Sequence, residues 1–87
     1  MKTTVIRVTG RVQGVGFRAY TKRTARKLDI KGWVRNEPDG SVKIVAQGDN
    51  VEAFLENVEQ GPRLSRVESV SSKKREEKEF DSFKIKR

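Results

Sequence analysis

Residues 4–28 read TVIRVTGRVQGVGFRAYTKRTARKL, and this stretch decides the fold. From Thr4 to Thr9 the side chains alternate with a period of two, which indicates a strand with at least one apolar face. After the glycines, apolar and small residues recur at spacings of three and four, which is typical of an amphipathic helix. The residues at these spacings are Phe17, Tyr20, Thr21, Thr24, Ala25 and Leu28. The chain therefore begins with a strand, a glycine-rich turn and a helix.

A hairpin is predicted after this helix. We expect the helix to close over Asp29–Gly32, with the glycine as a left-handed cap or turn residue. A second strand then begins at Trp33 and ends at a turn in which Pro38 sets φ at position i+1 and Gly40 suits position i+3. Alternation over residues 42–47 predicts a third strand that pairs with the second.

A second helix is predicted from residue 49 onward. Asp49 and Glu52 stand three residues apart and resemble a capping box. Apolar residues then follow at i, i+3, i+4 and i+7, namely Val51, Phe54, Leu55 and Val58. Gly61 and Pro62 should stop this helix.

The C-terminal segment completes the predicted order. Val67 and Val70 indicate a poorly alternating fourth strand, and the charged run Lys73–Glu79 is predicted to be a solvated hairpin loop. Phe83 and Ile85 indicate a short terminal strand. The order βαββαβ with this extra C-terminal strand predicts an α+β, ferredoxin-like sandwich, in which an antiparallel sheet carries two helices on one face. A chain of 87 residues can bury one core, so we predict a single domain over residues 1–87.

The composition excludes several kinds of site. The chain has no Cys and no His, which excludes disulfides, thiolate nucleophiles, imidazole bases and the common zinc, copper and haem ligand sets. No apolar run approaches the roughly 18 residues of a membrane span, and the N-terminus lacks the apolar core of a signal peptide. We therefore expect a soluble, cytoplasmic protein.

The formal charge is +8, and residues 1–48 hold 11 basic and 3 acidic side chains. This excess predicts an anionic partner for the N-terminal half, although a solubilising surface explains the same charge.

The segment Gly10–Arg18 lies between the first strand and the first helix. Glycines let successive backbone N–H groups turn inward around an anion, and the helix N-terminus adds positive potential there. Arg18, in the first helical turn, adds a guanidinium that matches phosphoryl or carboxylate oxygens. The alternative is a strand-to-helix turn whose glycines serve only backbone geometry. The spacing matches neither a dinucleotide fingerprint nor a Walker loop.

Two stretches of the sequence together resemble a known family. Asn36 taken alone would be interpreted as a residue that caps the following turn. Gly10–Thr21 and Gly32–Asn36, however, resemble the two signature stretches of the acylphosphatase family, at that family's separation. Chain length, element order and the segment Pro38–Val42 agree, so the resemblance covers roughly residues 4–86.

The resemblance implies hydrolysis of the carboxyl–phosphate bond of acyl phosphates to a carboxylate and inorganic phosphate. Arg18 would bind and neutralise the phosphoryl oxygens, while the Asn36 carboxamide would orient the attacking water. Glu37 stands where many family members have Thr, and we assign it no role. Backbone amides would hold the same oxygens at Gln13, Gly14, Val15, Gly16 and Phe17.

The expected ligands of this site are small molecules. No carboxylate cluster accompanies the glycine-rich segment, so we expect neither a metal nor a cofactor. The expected partners are a small acyl phosphate and inorganic phosphate, the latter as product and competitive inhibitor of a monomeric enzyme.

Two other functions fit the chain. An RNA-binding module has this architecture and a basic charge, but such modules stack bases on aromatic residues of the first and third strands, and neither predicted strand has one. Nucleic acid is therefore not an expected partner, although the basic face of the first helix could bind phosphates nonspecifically.

The other alternative is a non-catalytic anion sensor, or a detached relative of the acylphosphatase-like domains of larger carbamoyl-transfer proteins. Turnover of an acyl phosphate distinguishes an enzyme from both.

Overall fold

The computed structural model describes residues 1–87 and contains seven elements. In chain order they are β1 (Lys2–Arg11), α1 (Phe17–Lys27), β2 (Lys31–Asn36), β3 (Val42–Gln47), α2 (Val51–Gln60), β4 (Arg66–Glu76) and β5 (Phe83–Lys86). This is the predicted βαββαβ order with an additional C-terminal strand. Neither helix is long and apolar enough to cross a membrane.

One five-stranded sheet is formed, in the order β4-β1-β3-β2-β5. The first four strands of this order are antiparallel to their neighbours, as predicted for a ferredoxin-like fold. β5 crosses to the far edge and pairs parallel with β2, so the complete sheet is mixed. This parallel pairing brings the C-terminus beside the end of β2.

Both helices cover the same face of the sheet, and the core lies between the two layers. Because side chains alternate along a strand, Ile6 and Val8 of β1 face the helices together with Ile44 of β3. Each helix buries one stripe of side chains, which includes Phe17 and Ala25 of α1 and Phe54 and Val58 of α2. Phe54 meets Phe83 of β5 edge-on, with ring centroids 6.1 Å apart.

Gly32 does not cap α1, and that prediction was wrong. α1 ends at Lys27, with Leu28 as its C-cap, and the left-handed residue after it is Asp29, with φ 56°. Asp tolerates this conformation better than most residues do. Gly32 lies inside β2 with φ 142°, where a Cβ would overlap the carbonyl oxygen of Val45 on the neighbouring strand. The glycine is required by a close approach between strands, which a local pattern does not reveal.

Most of the predicted charged loop is strand. Lys73–Glu76 continues β4 and pairs with the start of β1, for example Lys73 with Val5 and Arg75 with Thr3. An edge strand needs a partner on one side only, and charged side chains are common there because they discourage further pairing. The predicted loop is therefore confined to the residues that follow Glu76.

The capping box at α2 is not formed. The N-cap is Asn50, one residue later than predicted, and no side chain caps the helix. The Asn50 side-chain amide instead donates to the Leu28 carbonyl oxygen at 3.0 Å. The predicted turn before β3 is confirmed, because the Gly40 amide donates to the Glu37 carbonyl oxygen at 3.1 Å.

Candidate active site

The glycine-rich loop between β1 and α1 adopts backbone conformations that favour glycine. Gly14 and Gly16 have φ 74° and 78°, and Gly16 is the N-cap of α1. A Cβ at either position would meet nothing within 4 Å, so the requirement is for the left-handed conformation and not for space. These two left-handed residues bend the chain between the end of β1 and the beginning of α1.

The amide groups of this loop are available to a ligand. None of the amides of residues 13–17 donates a backbone hydrogen bond, either in the regular elements or in the turns. No side chain caps the N-terminus of α1, and its first turn contains no acidic residue. Free N–H groups and the positive end of a helix therefore point to one place, where an anion is favoured.

Arg18 is the second residue of α1 and is half-buried. It takes part in none of the four ion pairs of the structure, so no carboxylate neutralises its guanidinium. A cation held at the positive end of a helix without a counter-ion raises the local potential further. An anion with several oxygens is the ligand that fits this arrangement.

Asn36 is the last residue of β2, and its side chain lies on the helix-facing side of the sheet, since it pairs with the core residue Val42. Its Oδ1 atom is buried and accepts no hydrogen bond. The turn is capped instead by Asp39, whose carboxylate accepts from the amide and the hydroxyl of Ser41. The interpretation of Asn36 as the turn's own cap therefore fails, and its carboxamide is left for another partner.

Asp39 holds this turn through a charge. The Ser41 hydroxyl first, and then Arg7, whose guanidinium lies 2.8 Å away, hold the pKa of the Asp39 carboxyl well below its usual range. The carboxylate is thus charged whenever the protein is folded near neutral pH, and the turn that follows Asn36 stays capped.

The fold brings the loop, Arg18 and Asn36 together around one cleft of about 230 Å³. Of the predicted site residues, the cleft is lined by Gly14, Gly16, Phe17, Arg18 and Asn36. It is also lined by four residues that sequence reasoning missed: Val12, Ala19, Ile85 and Arg87. The first two lie beside the motif, whereas the last two reach the cleft only because β5 pairs with β2. No sequence signal links them to the site.

Gln13 and Val15 do not line the cleft. The Gln13 side-chain amide donates to the carbonyl oxygens of Glu37 and Ser41, at 2.8 and 2.9 Å. Val15 packs against the core. The Gln13 side chain therefore ties the glycine-rich loop to the turn that follows Asn36, and this sets the spacing between the two halves of the site.

Comparison with known proteins gives one consistent result. The family model described as Acylphosphatase matches residues 4–85. A protein named Acylphosphatase from Salinibacter ruber is 51% identical over 84 residues, which is 93% of this chain and 88% of the relative. Another, from Oceanobacillus iheyensis, is 48% identical over 90 residues, or 99% of each chain. The crystal structure of acylphosphatase from Bacillus subtilis superposes with a TM-score of 0.94 at 38% identity, covering 100% of both chains.

Proposed function

This chain belongs to the acylphosphatase family and hydrolyses the carboxyl–phosphate bond of acyl phosphates, and on that premise we propose which of its residues carry the reaction. The substrate's phosphoryl group lies in the cleft between the glycine-rich loop and Asn36, and its acyl part extends outward. The observation that carries this proposal is the buried, unpartnered Oδ1 of Asn36 in the same cleft as Arg18.

The phosphoryl group is held by Arg18 and by the amides of residues 13–17, of which Gly14, Gly16 and Phe17 line the cleft. These amides have no acceptor within the protein, so they offer hydrogen bonds without breaking any. Arg18 supplies two further donors in a planar fork and the positive charge that a phosphoryl dianion requires. In phosphoryl transfer through a loose transition state, such positioning and charge stabilisation dominate catalysis.

Asn36 orients the attacking water. Its Oδ1 atom accepts a hydrogen bond from one O–H of that water and so fixes the water's lone pair toward phosphorus. A carboxamide has no useful basicity, so Asn36 does not take the proton. The second O–H of the water faces a phosphoryl oxygen of the substrate, which accepts the proton as the new bond forms.

The balance of the reaction needs no further group. The water oxygen bonds to phosphorus while the bond between phosphorus and the carboxyl oxygen breaks. The carboxylate leaves with the electron pair and is stable without protonation, so the absence of His is no obstacle. None of the side chains that line the cleft is a carboxylate, thiol or imidazole, the ligands that divalent metals prefer. We propose hydrolysis without metal or cofactor.

The test is release of inorganic phosphate from benzoyl phosphate in the presence of a chelator, with wild type, Arg18→Ala and Asn36→Ala. Arg18→Ala is expected to lose substrate binding and turnover together, because the guanidinium contacts both ground and transition state. Arg23→Ala, on the exposed side of the same helix, is the matched control and should behave as wild type. A folded Arg18→Ala variant with unchanged KM and kcat would overturn the assignment. Absence of turnover by the wild type would favour an anion sensor.

Finer properties follow from the same proposal. We propose that residues 1–87 form one domain and that the enzyme is a cytoplasmic monomer. We also propose that inorganic phosphate inhibits it competitively by binding to the amides of residues 13–17. Light scattering and inhibition kinetics test the last two points. Inhibition that leaves KM unchanged would place the phosphate outside the substrate cleft.

A further inference from the structure

The sheet face opposite the helices, which we call the open face, carries a row of cations. Because β-strand side chains alternate, the residues between the core positions project from this face. The register places Arg7 of β1 beside Lys43 of β3, Lys43 beside Arg35 of β2, and Arg35 beside Lys86 of β5. Four adjacent strands thus hold four cations side by side across roughly 14 Å, at about 4.8 Å per strand.

This row costs the fold stability. Like charges at directly opposed strand positions are destabilising. Two of the cations are compensated, since Arg7 pairs with Asp39 at 2.8 Å and Arg35 with Glu37 at 2.9 Å. Lys43 and Lys86 belong to no ion pair of the structure. The fold therefore maintains uncompensated positive charge at the centre of an exposed sheet, which an anionic partner would neutralise.

Trp33 lies within the same surface. Its ring is half-buried in β2 and has Lys86 at 4.6 Å, Arg35 at 5.0 Å and Lys43 at 5.9 Å from its centroid. In the register Lys84 lies beside Trp33. A single aromatic platform surrounded by cations is the combination that binds a base and its flanking phosphates.

At its β1 end, the row of cations continues into a cleft of about 430 Å³ between β1, β4 and the turn before β3. Four cations line it, namely Arg7, Lys43, Lys73 and Arg75, against two carboxylates, Glu37 and Asp39, which pair with Arg35 and Arg7. This cleft shares no residue with the one around Arg18 and Asn36. The larger of the two clefts is therefore outside the hydrolytic site.

We propose that the open face binds single-stranded nucleic acid, with phosphates on the row of cations and a base on Trp33. The sequence argued against such a partner because β1 and β3 carry no aromatic residue, but the sheet offers its aromatic on β2. An anionic membrane fits less well, since the aliphatic residues of this face, Val5 and Val45, are 7% and 1% exposed, which leaves the half-buried Trp33 as the apolar side chain that could insert. When the nucleic acid binds, Lys43 and Lys86 move from the Trp33 ring to the phosphates, and a base stacks on the indole.

The chain contains one Trp, so its fluorescence reports on this surface directly. Titration with a ten-residue oligouridylate at about 50 mM salt is expected to quench Trp33. The Lys43→Gln/Lys86→Gln double variant removes two charges from the row. The matched control Arg23→Gln/Lys27→Gln removes two from the exposed side of α1.

Each phosphate contact on a single strand contributes a slope of about 0.7 to log K against log salt. Loss of two contacts should therefore flatten the slope by about 1.4, which, extrapolated from 1 M salt, weakens binding roughly 65-fold at 50 mM salt. The control pair should bind within about twofold of wild type. All variants should keep wild-type hydrolysis of benzoyl phosphate, because none of these residues lies in the hydrolytic cleft.

Three results would overturn the proposal. One is the absence of quenching, and another is equal weakening by the two double variants, which would mean that only net charge matters. The third is binding to vesicles rich in anionic lipid at least as tight as to the oligonucleotide. None of these results bears on the hydrolytic site, since turnover is measured separately with the same variants.

Discussion

Replacement of Asn36 by Ala should separate stability from catalysis. The Asn36 Oδ1 atom is buried without a donor, and such an atom costs the folded state about 1–3 kcal/mol. Ala removes the acceptor and loses few apolar contacts. We therefore expect Asn36→Ala to leave the free energy of unfolding unchanged or to raise it by up to about 2 kcal/mol. Point substitutions in general lower it by about 1 kcal/mol.

Catalysis by the same variant should collapse. Without a fixed acceptor the water loses its orientation, and a misplacement of this kind costs about 100-fold in kcat. At about 1.4 kcal/mol per tenfold, that corresponds to roughly 2.7 kcal/mol of transition-state stabilisation. KM should change little, because the phosphoryl contacts remain.

The assays are phosphate release from benzoyl phosphate and urea unfolding followed by Trp fluorescence. Asn50→Ala is the matched control, because Asn50 donates to the Leu28 carbonyl oxygen and is remote from the cleft. It should lose about 1 kcal/mol of stability and keep its kcat. If Asn36→Ala unfolds more easily than Asn50→Ala, the argument that Oδ1 costs the folded state stability is refuted. If Asn36→Ala turns over like wild type, the water-orienting role of Asn36 is refuted.

Three further results are expected. Gln13→Ala should lower the free energy of unfolding by roughly 1–3 kcal/mol, because it removes two hydrogen bonds to the turn after Asn36. It should also lower kcat more than it raises KM. A wild-type kcat in steady-state kinetics would show that the Gln13 side chain has no part in positioning the site. Turnover should vary little between about pH 5 and 8, since no proposed group titrates there, and a steep sigmoid in that range would require another residue in the reaction. The pKa of Asp39 is lower in the folded than in the unfolded chain, so its stabilisation is present above about pH 4 and is lost as the pH falls below that. The difference in urea midpoint between wild type and Asp39→Asn should therefore shrink from pH 7 to pH 2.5, and a constant difference would exclude the charge as its cause.

The sequence by itself determined the elements and the chemistry of the loop. Periods of two and of 3.6 residues are local properties, so they identified five strands and two helices in the correct order. The motif around Gly14, Gly16 and Arg18 was equally local, because a run of free amides at a helix N-terminus is made by consecutive residues. The resemblance added Asn36, which spacing alone had assigned to the turn.

Only the tertiary structure decided what distant segments do to one another. Pairing with β1 continues β4 through Lys73–Glu76, a charged run that the sequence alone predicts to be a loop. The close approach of the Val45 carbonyl oxygen is what requires glycine at position 32, inside β2. Parallel pairing of β5 with β2 brings Arg87 to the cleft, and strand register gathers Lys43 and Lys86 around Trp33. These features depend on which strands are neighbours and in which register, and both are set by the packing of the whole chain, so no local pattern contains them.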